Sequence, residues 1–145
     1  MRERGYGRIV LTCPLGPSIS DAMEVGNTVS NMGLVGVMNI LKCEGPEHDM
    51  MVNMVAPSPS GDPAAVGDVV AYLAHEACRT SGEIFTVQAD GLSRMFMGVN
   101  AGFFDRHLNL EGVRDHLEEI MDPATFIVPD VAGQEIGQLL LGHLQ

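Results

Sequence analysis

The sequence predicts an α/β fold of about three parallel strands with crossover helices, followed by a helical C-terminal extension. Three observations carry this. Short apolar runs recur at 8–13, 50–55 and 82–87. Longer stretches with helical patterning lie between them. Gly, Pro and Ser cluster where each run ends. Strands that alternate with helices pair in parallel, and crossovers of this kind are expected to be right-handed.

The elements follow in order. Ile9-Val10-Leu11 is a β-branched core closed by Pro14 and Gly16, so 8–13 reads as a buried strand. A helix is expected over 22–44, stopped by Gly45-Pro46. Met32, Leu34, Val35, Val37, Met38, Ile40 and Leu41 make its middle apolar nearly all round. Such a helix is covered on both sides. One side can lie on the sheet; the other calls for a second helix, with Gly33 and Gly36 allowing close approach. The run 50–55 is a second strand, ended at Ala56-Pro57. Asp62-Pro63 is an N-cap with proline at the first helical position, opening a helix to about Arg79. The third strand is 82–87. Beyond it, Asn109-Leu110-Glu111 starts a helix, and 132–144 has the pattern of a last amphipathic one. The organisation is a partial α/β unit over 1–90 and an extension over 91–145 packed on it.

Composition excludes several classes. A net charge of -11 disfavours nucleic acid and anionic membrane surfaces. Three widely spaced cysteines without a CxxC read as reduced thiols, so the expected compartment is cytoplasmic. No run reaches transmembrane length.

Gly-Arg-Ile-Val at 7–10, Met-Gly-Leu-Val-Gly at 32–36, Asn53 to Pro57, and Tyr-Leu-Ala-His-Glu-Ala-Cys with Gly-Glu-Ile-Phe within 72–85 form an ordered set. Together they resemble the C-terminal half of a short-chain dehydrogenase/reductase. The (3R)-hydroxyacyl-CoA dehydrogenase type of peroxisomal multifunctional enzymes is the nearest subgroup. Val113-Arg114-Asp115-His116 resembles that subgroup's extension.

The resemblance implies NAD(P)-dependent oxidoreduction for the family, with the nucleotide bound by a first half that lies outside the matched segment. It also places the family's catalytic serine, tyrosine and lysine at Pro14, Asn27 and Asn31. A phenol lowered by a neighbouring ammonium can protonate a carbonyl; a carboxamide only exchanges hydrogen bonds. Asn53 and Pro57 match a stretch that lies near the nicotinamide in the family, and a plain strand-to-loop junction is the simpler reading. No catalytic residue, no cofactor for this chain alone and no metal are expected. The implied function is a truncated, catalytically degenerate subunit, a homo-oligomer or a hetero-oligomer with a full-length dehydrogenase, joined through 22–44 and 63–87. The alternatives are an oxidoreductase whose nucleotide half is supplied in trans, and a gene remnant.

Other constellations are weaker. Cys13 lacks a nearby base and reads as packing. His75 and Cys78 are one turn apart but have no second ligand pair at zinc-like spacing. Glu44, Glu47, His48 and Asp49 read as a solvated turn, and Asp115, Glu118, Glu119 and Asp122 as a solvent-facing helix side.

Overall fold

The computed structural model describes residues 1–13, 25–89 and 91–130. Six residues, Gly7–Thr12, form β1, and Val25–Glu44 form α1. Strand β2 is Met50–Pro57, helix α2 is Pro63–Ala74 and β3 is Ile84–Gln88. Gly91–Met95 adds β4. The sheet order is β1-β2-β3-β4. The first three strands are parallel, with Gly7 opposite Met50 and Met54 opposite Ile84. β4 returns antiparallel on β3, with Gln88 opposite Gly91.

The expected mixed α/β unit is therefore present, with one strand more than the three read from the sequence. Gly91-Leu92-Ser93-Arg94-Met95 lacks a β-branched run and stays exposed along most of its length, so no periodic signal marks it. Its hydrogen bonds to β3 carry the first compact unit to Met95, and a second unit begins at Phe96.

Strand alternation divides the core into two layers. Ile9, Leu11, Val52, Met54, Ala56 and Ile84 pack with Leu34, Val35, Met38 and Leu41 of α1. Val10, Val55, Phe85 and Val87 pack with Val66, Val69, Val70 and Leu73 of α2. The two helices thus cover opposite faces of the sheet. Because β1, β2 and β3 advance in one direction, crossovers on opposite faces have opposite hands. The expectation that both are right-handed is corrected. α1 already covers the face carrying Val52, Met54 and Ala56, and the apolar stripe of α2 is buried on the face left open.

The caps follow the local chemistry. Asp62 Oδ1 accepts the Ala64 N–H at 3.1 Å, as an N-cap followed by Pro63 should. α2 stops at Ala74 rather than near Arg79, because His75 leaves helical geometry at ψ 150°. α1 ends against Gly45, where a Cβ would lie 2.4 Å from the Met50 carbonyl, so only glycine lets the chain turn there.

In the second unit, Val99–Asn100 (β5) and Phe126–Ile127 (β6) pair antiparallel. Asn109 caps α3, Leu110–Asp115, by accepting the Gly112 N–H at 2.8 Å. A break at His116 separates the short α4, Leu117–Ile120. The helix expected over 132–144 lies outside the described residues.

Candidate functional site

In open α/β sheets the reactive groups gather beyond the carboxyl ends of the strands. At that end β1 delivers Cys13, which is buried with its Sγ 3.3 Å from Met54 Sδ. Burial pushes the Cys13 thiol up, away from the thiolate a nucleophile needs. Cys13 is part of the core beneath α1, as the packing reading expected. Pro14 lies outside the described residues.

Asn27 and Asn31 stand one turn apart in the amino-terminal half of α1, Asn27 exposed and Asn31 half-buried. Asn53 does not join them. It shares strand parity with Val55, which packs under α2, whereas α1 covers the other face. Asn53 is buried, its Nδ2 donates to the Thr80 carbonyl at 2.7 Å, and its Oδ1 accepts the Glu83 N–H at 3.2 Å. Its amide ties the middle of β2 to the segment leading into β3. Pro57 ends β2 opposite Val87. The following loop is held down, with Ser58 N–H donating to Val87 O at 2.9 Å and Ala89 N–H to Ser60 O at 3.1 Å.

The remaining candidates are also engaged locally. His75 Nδ1 accepts the Ala77 N–H at 3.1 Å, while Cys78 is buried and directs its Sγ to the Thr80 carbonyl at 3.7 Å. Among the described residues no group of three His, Cys, Asp or Glu side chains could hold a metal. The Arg114 guanidinium holds the Asp115 carboxyl below its usual range through bonds of 2.6 and 3.0 Å. Glu119 lies 3.3 Å from His116 Nδ1, and Glu44 pairs with Arg2.

The sequence reading missed Arg8. Its side chain is 2% exposed, its Nη1 donates to the carbonyls of Gly7 and Asp49 at 2.8 Å each, and its guanidinium lies 4.6 Å from the Tyr6 ring centre. An arginine leading a β-branched run was the available signal. In front of it an open cleft of about 350 Å³ is lined by Tyr6, Asp49, His75, Glu76, Ala77 and Arg79. This cleft lies at the amino end of the strands, opposite the end where such sheets bind ligands.

Comparison with known proteins decides the relationship. No family model matches the chain. The peroxisomal multifunctional enzyme type 2 of Drosophila melanogaster is 25% identical over 142 residues, covering 84% of this chain. The mouse protein of the same name is 24% identical across 97% of it. The solved full-length Drosophila structure superposes on 98% of the chain with a TM-score of 0.81. Its homologues are peroxisomal multifunctional enzymes of type 2 and short-chain dehydrogenases/reductases. A short-chain dehydrogenase structure from Mycobacterium avium shares the fold at a TM-score of 0.64 and 20% identity, over 81% of the chain. The chain spans 24% and 22% of the lengths of the two multifunctional enzymes.

Short-chain dehydrogenases/reductases use NAD(P) as a family. A pyrophosphate is held at a helix amino terminus following a strand. The amino terminus of α2 carries the Asp62 carboxylate, whose negative charge opposes a phosphate. The Asn53 amide is spent on backbone groups. Among the described residues, neither the start of α2 nor the Asn53 amide is arranged to hold such a group. No helix among them is long and apolar enough to cross a membrane.

Proposed function

We propose that this chain is a non-catalytic subunit built on a dehydrogenase-like fold, contributing a binding surface rather than hydride transfer. One observation carries the reading: Asn27 and Asn31, one turn apart on α1, offer carboxamides where the resemblance needs a phenol and an ammonium. Neither group can act as a general acid near neutral pH. The outer side of α1 supports an associating role, since Val25, Val29, Met32, Val37 and Ile40 are all exposed on it. An oxidoreductase completed in trans is the second reading. It is favoured by the free edge of β1, which among the described residues pairs only with β2.

The test is an assay of NAD(P)-dependent oxidation of a 3-hydroxyacyl-CoA. It uses the chain purified from its own cells with bound partners retained. The expected result is that Asn27→Ala with Asn31→Ala leaves any co-purifying activity unchanged. Loss of that activity in the double variant overturns the non-catalytic reading.

A further inference from the structure

The helices of the second unit sort their side chains into three rows. Gly112, His116 and Ile120, four residues apart, turn inward and are half-buried. Phe103 stacks on the His116 ring at 3.7 Å, and Asn100 Nδ2 donates to the Ile120 carbonyl at 2.7 Å. The break at His116 is one residue long. His116 N–H still donates to the Gly112 carbonyl, and Ile120 N–H to the His116 carbonyl, so the rows of α3 continue into α4.

The second row is Leu110, Val113, Leu117 and Met121, exposed at 74, 42, 51 and 70%. The third is Glu111, Asp115, Glu118 and Asp122, all exposed. Spacings of three and four residues keep each row on one side of a helix. An apolar row and an acidic row thus run side by side over about 16 Å. Among the described residues from Phe96 to Asp130 none is buried, so the apolar row is not spent on a core. A contiguous exposed apolar row marks an interaction site.

The acidic row identifies the occupant. A second copy would bring carboxylates against carboxylates, in a chain of net charge -11. An anionic membrane is repelled in the same way. Residues 131–145 of this chain contain no lysine or arginine, so they offer the row no cation. Arg114 is taken up by Asp115 and His116 by Glu119, which leaves Glu111 and Glu118 to a cation from outside. A helix with an apolar stripe and lysines or arginines along one flank answers both rows at once.

We infer that the outer side of α3 and α4 is a docking surface for a basic amphipathic helix of another protein. Its apolar stripe lies along Leu110, Val113, Leu117 and Met121, and its cations meet the row from Glu111 to Asp122. Binding there goes beyond the associating role of α1, and needs neither α1 nor the absence of catalysis. A contact of about three helical turns falls below the roughly 1,000 Å² of stable interfaces, so the partner should exchange readily.

Fluorescence anisotropy of the full chain with a labelled probe tests the surface. The probe is a helical peptide of leucine and lysine, about five turns long, with leucine on one face. The control has the same composition with leucine spread around the helix. The probe should bind at least about tenfold more tightly than the control. Leu117→Ser with Met121→Ser should weaken the probe about tenfold. Both side chains are exposed, so the circular dichroism spectrum should not change. Glu111→Gln with Glu118→Gln should flatten the salt dependence of binding. With Leu117 replaced by p-benzoylphenylalanine, irradiation should cross-link the chain to the probe. Equal binding of probe and control overturns the inference, since it leaves only attraction to a negative chain. So does unchanged binding by the serine variant, or an unchanged salt dependence in the glutamine variant. Cross-linking of position 117 to a second copy, or to residues 131–145, in the presence of the probe overturns it too. None of these outcomes touches the reading of Asn27 and Asn31.

Discussion

Asn53 Nδ2 lies 2.7 Å from the Thr80 carbonyl oxygen, and the same amide accepts the Glu83 N–H at 3.2 Å. This makes a residue that resembles part of a cofactor site into a clamp between β2 and the approach to β3. Asn53→Ala would strand a donor and an acceptor beside the core. The expected loss is about 2–3 kcal/mol. It would be read as a lower denaturant midpoint at unchanged slope. A loss below about 1 kcal/mol would show that water reaches both groups.

Arg8 and Asp49 should respond unequally. Arg8 binds the backbone carbonyl of Asp49 at 2.8 Å, while the carboxylate contact is longer at 3.4 Å. Arg8→Met should therefore cost about 2–3 kcal/mol, and Asp49→Asn under about 1 kcal/mol, since Asp49 is partly exposed. Arg8→Lys should cost less than Arg8→Met, because one nitrogen, Nη1, makes both carbonyl bonds and an ammonium has the donors to replace it. Thermal unfolding of the three variants provides the comparison. Equal losses for Arg8→Met and Asp49→Asn would mean that the carboxylate, not the carbonyl, holds the arginine.

Gly82 sits at φ 79°, and a Cβ there would lie 2.1 Å from Lys42 Cδ. Gly82→Ala should lose about 1–2 kcal/mol from the left-handed backbone alone, and more from displacing the lysine stem. A double-mutant cycle with Lys42→Ala separates the two parts. The clash should vanish in the double variant while the backbone cost remains.

The three thiols differ in access. Cys13 and Cys78 are buried and Cys43 is exposed. Burial also raises the Cys13 thiol, leaving less thiolate at neutral pH. Iodoacetamide on the dilute native chain should label Cys43 first, and label the other two only on unfolding. Peptide mass mapping checks this. Early labelling of Cys13 would show that the end of β1 opens in the native state.

Local chemistry was legible in advance. Asp62 before Pro63, and Asn109 before Leu110, both cap helices as their side chains dictate, since a cap involves residues three apart at most. The surplus of apolar residues on α1 was also visible as a helix without a polar face. Sequence reasoning failed where a partner far along the chain decides the outcome. Strand β4 carries little β-propensity and forms because β3 offers an edge. Asn53 was weighed by its resemblance, and its role came from Thr80 and Glu83, about thirty residues away. Arg8 was passed over because only the fold closes Tyr6 and Asp49 around it.

The sequence by itself determined the order of the three parallel strands and the two helices between them, the caps at Asp62 and Asn109, and the presence of an α/β layer, because periodicity and capping depend on near neighbours. The tertiary structure decided that α1 and α2 lie on opposite faces, and hence that their crossovers differ in hand. It decided which side of α1 meets the sheet and which side is left to solvent. Those choices rest on burial summed over distant segments, a quantity that no local pattern encodes.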